Sequence, residues 1–201
     1  IVANNRTTLV RGQEYCIVMY SEKKDGYLQN LGYLGEQLDL WLTSKGIGVL
    51  WSGLGSAKEK KEGLEYVIML AIGKMEEERF RSELSKVSRK AVTEIWSDEL
   101  YTGIRDVVRY APSAINMQPW YVQASEEQLT VYRRKETFKP KLLSDEMQIH
   151  YNQIDMGIFL YTLEVCLAHE GIRYERAMYM DDGAVREKTL VAEYLLTKMP
   201  K

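Results

Sequence analysis

Histidine, cysteine and proline are all scarce in this sequence. The scarcity of cysteine and histidine limits the disulfides and metal sites that the chain could form. The 201 residues contain two histidines, two cysteines and four prolines. Two cysteines are too few for a disulfide framework, and both lie in apolar stretches that favour buried free thiols. The sequence has no Cys/His cluster and no HExxH spacing, which argues against a metal site.

The sequence also lacks a charge imbalance and a long apolar run. Its formal net charge is −2, so it has no general attraction for nucleic acid or for an anionic membrane. No apolar run approaches the roughly 18 residues that a membrane-spanning helix needs. No signal-peptide pattern is present, and we expect a cytoplasmic protein without nucleic-acid or membrane partners.

Hydrophobic periodicity predicts alternating helices and strands. Leucines at spacings of three and four predict an amphipathic helix over 28–45, closed by Gly46, and an almost wholly apolar stretch predicts a buried helix over 151–172. Ser97 is predicted to cap a further helix over 97–110. Residues 74–92 are predicted to form a solvated connector. The predicted strands are two within 6–20, then 47–53, 64–73, a hairpin over 120–134, 173–180 and 190–197.

An internal repeat relates the two long helices. When 156–172 is aligned with 31–47, the glycines coincide, and Gly32 and Gly46 have the same spacing of 14 residues as Gly157 and Gly171. Chance similarity between amphipathic helices is the alternative, and we favour duplication. The predicted half-repeats are 1–92, whose first helix is missing, and 97–201.

No nucleophile–base pair, Walker loop, GxGxxG or GxSxG motif is present, so a cofactor is expected to carry any catalysis. The loop APSAINMQPW (111–120) is the densest group of special residues. Pro112 and Pro119 fix two backbone angles, and Asn116 and Gln118 each offer a donor and an acceptor. Such a loop suits a flat heteroaromatic ring; a plain helix-to-strand connector with Trp120 in the core is an equally good interpretation.

This loop resembles the signature loop of the FMN-dependent nitroreductases. IDMGI (154–158), GEQLDLWLTSKGIGVLWSG (35–53) and SRKAVTEIW (88–96) are similar to other segments of that family. The order of these segments resembles the Thermotoga-type branch, in which one chain holds two halves that mimic the usual dimer. The resemblance implies an α+β fold, an α/β/α sandwich with a mixed, largely antiparallel sheet and FMN between the halves.

The resemblance also implies site residues. Arg89 and Lys90 correspond to a basic element that holds the FMN phosphate. Ser52, Gly53 and Leu54 correspond to a strand end that faces the flavin ring near N5. Pro112, Ser113, Ala114 and Asn116 correspond to the loop from the other half, and Gln118 either contacts the flavin or braces that loop. No catalytic side chain is expected.

The implied activity is ping-pong hydride transfer from NAD(P)H through flavin N5 to a nitroaromatic or quinone-like acceptor. The family's R-x-S-x-R phosphate motif is not in the chain, and we expect that it precedes Ile1; its loss is the alternative, and would leave a binding or structural module. A flavin enzyme of the same fold with another reaction, such as dehalogenation, is a third interpretation. A monomeric pseudo-dimer and a homodimer both remain open, as does the choice of NADH or NADPH.

Overall fold

The computed structural model describes residues 13, 15–77, 80, 83–135 and 143–198. This part of the chain contains four α-helices and seven β-strands. The helices are α1 (Tyr27–Thr43), α2 (Val92–Ile95), α3 (Thr102–Val108) and α4 (Asp145–His169). The strands are β1 (Tyr15–Ser21), β2 (Ile47–Ser52), β3 (Glu65–Lys74), β4 (Trp120–Ala124), β5 (Gln128–Arg134), β6 (Ile172–Met178) and β7 (Lys188–Lys198).

The strands form two antiparallel sheets. The first has the order β1-β3-β2, and the second has the order β4-β5-β7-β6. Every pairing in these sheets is antiparallel. The predicted α+β class with antiparallel strands is therefore confirmed, although the described strands lie in two sheets where a single mixed sheet was expected. An isolated parallel bridge pairs Trp96, which follows α2, with Val122 of β4.

Helices α1 and α4 cross at two glycines. A Cβ atom added to Gly32 would lie 2.0 Å from the carbonyl oxygen of Ile154, and one added to Gly157 would lie 1.9 Å from that of Gln29. Both distances are far below van der Waals contact, so only glycine allows the two backbones to approach this closely. The two glycines thereby set how the helices pack.

The main core lies around α4, as the apolar character of 151–172 predicts. Phe159 of α4 is fully buried and stacks on Trp120, with the ring centroids 4.8 Å apart. Trp120 is thus a core residue. Both thiols, Cys16 and Cys166, are free and buried, which confirms that expectation.

The prediction that Ser97 caps a helix is wrong. The α3 helix begins at Thr102, and Tyr101 before it has a left-handed backbone with φ 57°. Ser97 instead lies beside β4, where its backbone N–H donates to the carbonyl of Val122 and its hydroxyl accepts from the N–H of Ala124. This long-range pairing fixes Ser97 in a bend outside any helix.

Most other predicted elements are found, with shifted ends. The buried helix starts earlier than predicted, at Asp145, because Ser144 caps it by accepting from the N–H of Met147 at 3.2 Å. Gly46 and Gly171 both have positive φ just after a long helix. Short helical turns interrupt the connector over 74–92. The first of the two strands predicted within 6–20 lies outside the described residues, and the second is β1.

The two sheets have corresponding orders. If β1, β3 and β2 are taken as counterparts of β5, β7 and β6, the first sheet repeats the order of the last three strands of the second. The duplication of the chain stays a prediction.

Candidate active site

The loop 111–120 has an unusual backbone. Ile115, Asn116 and Gln118 have φ values of 51°, 59° and 50°, which lie in the left-handed region that glycine normally occupies. Ile115 is β-branched, and a positive φ is a steric outlier for such a side chain. Strained backbone of this kind persists only where the surrounding contacts hold it, and it concentrates at functional sites.

Asp155 of α4 fixes the first part of the loop. Both of its carboxylate oxygens accept from the backbone N–H of Ala114, at 3.1 and 3.2 Å. The side chain of Ser113 accepts from the N–H of Gln118 at 3.0 Å and closes the turn. These bonds hold Pro112, Ser113 and Ala114 against α4.

The second part of the loop is tied to the segment 88–90. Arg89 donates to the side chain of Asn116 at 3.0 Å and to the carbonyl of Tyr110 at 3.0 Å. The backbone N–H of Lys90 donates to Gln118 Oε1 at 2.8 Å, and its ammonium donates to the Gln118 carbonyl at 3.1 Å. Four of the predicted site residues therefore meet one another, and they brace the loop.

A cavity of about 540 Å³ lies where the end of β2, the loop and α4 meet. Its volume is within the range of sites for small molecules and cofactors. Six predicted site residues line it, namely Ser52, Gly53, Leu54, Pro112, Ser113 and Ala114. The other four predicted residues, Asn116, Gln118, Arg89 and Lys90, are not among the described residues that line it.

Tyr151 of α4 joins the two sides of the cavity. Its hydroxyl donates to the carbonyl of Gly53 at 2.6 Å, and a Cβ on Gly53 would lie 2.9 Å from its ring. Burial raises the pKa of the Tyr151 hydroxyl, so this group stays protonated and keeps donating. Gly53 is thus required for the β2 end to pass under the Tyr151 ring.

Trp51 forms part of the cavity wall, and a carboxylate of α1 holds its side chain in place. Its indole N–H donates to Asp39 of α1 at 2.9 Å. Burial raises the pKa of Asp39, and the bonds from Trp51 and Thr43 act in the opposite direction. The adjacent Glu36 is also buried, and desolvation together with the charge of Asp39 raises its pKa to about 8.

The sequence analysis missed Tyr151, Asp155 and Trp51 as site residues. Asp155 and Tyr151 are four positions apart, so they share one face of a helix that is otherwise mainly apolar. A carboxylate in such a helix is rarely fully buried without a partner. The presence of Asp155 in a mainly apolar helix was therefore the signal that could have identified it. Among the described residues no cluster of three or more His, Cys, Asp or Glu side chains could hold a metal ion.

Comparison with protein-family models identifies the family. A model described as "Putative TM nitroreductase" matches residues 2–167. The chain belongs to this family. Among proteins of curated function, none matches the chain.

A solved structure shows the same fold for this nitroreductase-family chain. It is the crystal structure of a putative nitroreductase from Thermotoga maritima, which is 17% identical. The match covers 98% of this chain and 79% of the other, with a TM-score of 0.56. At this level of identity, the similarity supports a shared fold and nothing further. No helix in the described ranges has the length and apolar character to cross a membrane.

Proposed function

We propose that this chain is an FMN-dependent NAD(P)H oxidoreductase that reduces nitroaromatic or quinone-like acceptors. The observation that carries the proposal is the cavity, because it joins the two segments that resemble the family's flavin contacts. Ser52–Leu54 and Pro112–Ala114 are far apart in the sequence and line the same space. When bound there, FMN would supply the redox chemistry, by ping-pong transfer of a hydride from NAD(P)H at N5 to the acceptor.

The lining fits a flat ring better than it fits a phosphate. Trp51, Pro112, Ile68 and Tyr151 supply apolar and aromatic walls, and the backbone at Gly53 is open to the cavity. None of the described lining residues is Lys or Arg. Arg89 and Lys90, the candidate phosphate ligands, donate instead to the loop.

The chain's own residues would therefore bind and orient the ring. The hydroxyl of Tyr151 fixes the β2 end, and the carboxylate of Asp155 fixes the loop opposite. Apolar walls exclude water from the ring face, which strengthens the polar contacts that remain. A preorganised backbone donor near the ring would stabilise charge that develops during reduction.

We further propose that the site lies between two half-repeats, 1–92 and 97–201. Gly32 and Gly157 make reciprocal contacts at the α1–α4 crossing. Asp39 accepts from Trp51, and Glu164, at the position corresponding to Asp39, accepts from Arg176, at the position corresponding to Trp51. In each case the counterpart lies 125 residues later. The β2 end would come from the first half, and the loop with α4 from the second.

The proposal is tested by the visible spectrum and by FMN titration of the purified protein. Ala114 lines the cavity, so Ala114→Leu should occupy the ring's space and weaken FMN binding at least about tenfold, or ~1.4 kcal/mol. Ala124→Leu is the matched control, because Ala124 is also partly buried against the core and is not among the lining residues. A colourless protein that takes up no FMN would overturn the proposal.

One observation favours a second candidate, a fold that binds another ligand without flavin. The described cavity lining has no cation to neutralise a phosphate. Under this alternative the protein takes up no FMN and still binds small aromatic molecules. Where FMN does bind, product analysis with a substrate panel separates a nitroreductase from a flavin enzyme with another reaction.

A further inference from the structure

A second, smaller cavity lies beside α4, between the end of β5 and the segment that precedes β7. Its volume is about 50 Å³. A cavity needs roughly 10–15 Å³ to hold one water molecule, so this one has room for a few waters or one small polyatomic ion, and none for a flavin ring. None of its described lining residues lines the candidate active site. We call it the basic pocket, and define it by the polar and charged residues among its described lining, namely Arg133, Lys135, Asp145, Gln148, Asn152 and Arg186.

Two amide side chains of α4 are buried in the basic pocket without partners. Gln148 is 8% exposed and Asn152 is 3% exposed. No described residue makes a hydrogen bond with either side-chain amide, and Oδ1 of Asn152 is enclosed without a partner among the described residues. Each amide nitrogen carries two N–H donors. Because buried polar groups nearly always have a partner, these amides indicate that the pocket holds a polar ligand or water.

Arg133 supplies a buried cation that is bonded on one side only. Its Nε and Nη2 atoms donate to the carboxylate of Asp181, and Nη2 also donates to the carbonyl of Ala184 at 3.1 Å. No described residue accepts from Nη1. The ion pair with Asp181 therefore fixes the guanidinium, and the two N–H groups of Nη1 remain for a ligand.

Positive charge predominates around the basic pocket. Lys135 and Arg186 are about half exposed, so they lie at its opening. Lys135 is paired only loosely with Glu187, at 3.8 Å. Arg186 bonds to Asp182 through both terminal nitrogens, which leaves its Nε–H without an acceptor among the described residues. Three cations thus line the described part of the pocket, and the only carboxylate there is that of Asp145, which is exposed.

We propose that the basic pocket binds a phosphate group, either as inorganic phosphate or as part of a phosphomonoester. A phosphate oxyanion accepts several hydrogen bonds at once, and guanidinium and ammonium groups are its usual partners. The N–H groups of Arg133, Gln148 and Asn152 would hold it from the interior, with the cations at the opening covering it. The small volume admits only the phosphate group, so the rest of an ester would lie outside. This site is separate from the proposed flavin chemistry.

The proposal is tested by calorimetric titration of the full chain with inorganic phosphate, in a buffer free of phosphate and sulfate. We expect saturable binding at a single site with a Kd below about 1 mM. Sodium chloride at the same ionic strength should leave the site able to bind phosphate, whereas unspecific attraction between charges would be screened. No saturable binding up to about 10 mM phosphate, as for a pocket that holds water only, would overturn the proposal.

Two variants test whether the binding occurs in this pocket. Lys135→Gln should weaken phosphate binding at least about fivefold, and Lys45→Gln, a change at an exposed lysine outside the described lining, should not. Asn152→Leu should fill the pocket and abolish measurable binding without a loss of stability, because it removes a buried oxygen that has no partner among the described residues. Equal affinities of the two lysine variants, or parental affinity in folded Asn152→Leu, would contradict the proposal.

Glycerol 3-phosphate distinguishes the two sources of the phosphate group. An affinity similar to that of inorganic phosphate would support a phosphomonoester as the ligand, and binding of inorganic phosphate alone would support the free ion. Binding of neither compound refutes the site. These titrations need no flavin, so their outcome is distinct from that of the proposed function.

Discussion

At Ile115 the backbone conformation in the folded protein is far from the one that a β-branched residue prefers. Its left-handed backbone should cost on the order of 1–3 kcal/mol. The surrounding bonds hold it there, including those from Asp155 to Ala114 and from Arg89 to Asn116. Under the proposed function, this strain beside the cavity would be retained for binding more than for stability.

Replacing Ile115 with asparagine should therefore stabilise the protein. Asn tolerates positive φ far better than a β-branched residue does, and it does not add the unfolded-state entropy of glycine. We expect Ile115→Asn to raise the free energy of unfolding by about 1 kcal/mol in urea denaturation. Val107→Asn is the control, because Val107 is similarly exposed (47%) but lies in the right-handed helix α3, where Asn is the weaker helix former. A loss of stability in both variants would refute the strain argument.

At the scale of elements, the packing at the crossing of α1 and α4 is the most dependent on particular residues. The two glycines at the crossing bring backbone against backbone, so no side chain there can rotate away to relieve a clash. The same helices supply groups on two sides of the cavity, with Asp39 behind Trp51 and Asp155 behind the loop. The crossing therefore fixes the distance between the two walls.

Gly157→Ala should be strongly destabilising. The new methyl group would lie 1.9 Å from the carbonyl oxygen of Gln29, and the helices would have to separate. We expect a loss of about 3 kcal/mol in the free energy of unfolding, at the upper end of overpacking effects. Gly103→Ala is the matched control on a helix: its Cβ would meet only the flexible end of Glu170 at 3.0 Å. That variant should be neutral or gain about 0.5–1 kcal/mol from helix propensity; equal losses in both variants would show that the crossing does not limit stability.

At the scale of the whole molecule, the sequence predicts helices and strands better than it predicts the contacts between them. The leucine spacing of α1 and the apolar length of α4 are local signals, and both helices are where those signals place them. The hydrogen bonds that hold Ser97 beside β4 are long-range, so local capping preference gave the wrong answer there. The bond between Asp155 and Ala114 spans 41 residues. The loop was recognisable as special, but no spacing in the sequence shows that it is braced on one side and lines a cavity on the other.

One buried acid couples the stability of the molecule to pH. Glu36 lies in α1 with 2% exposure, and its Oε2 atom has no hydrogen-bond partner among the described residues. Desolvation is the main cause that raises its pKa to about 8, and the charge of Asp39 adds to it; bonds with Thr162 and Trp51 lower it. The folded protein therefore keeps a proton on Glu36 at neutral pH, where the unfolded chain has lost it.

Glu36→Gln should remove much of this pH dependence. The folded state binds more protons than the unfolded state between about pH 4.5 and about pH 8, so the contribution of Glu36 to stability falls as the pH rises through that window and is constant above it. Urea unfolding across the window should show the Gln variant losing less stability than the parent, by on the order of a few kcal/mol at the upper end. Asp39, whose pKa burial also raises, should retain part of the slope. Parallel pH profiles for the parent and Glu36→Gln would mean that Glu36 ionises in the folded state much as it does in the unfolded chain.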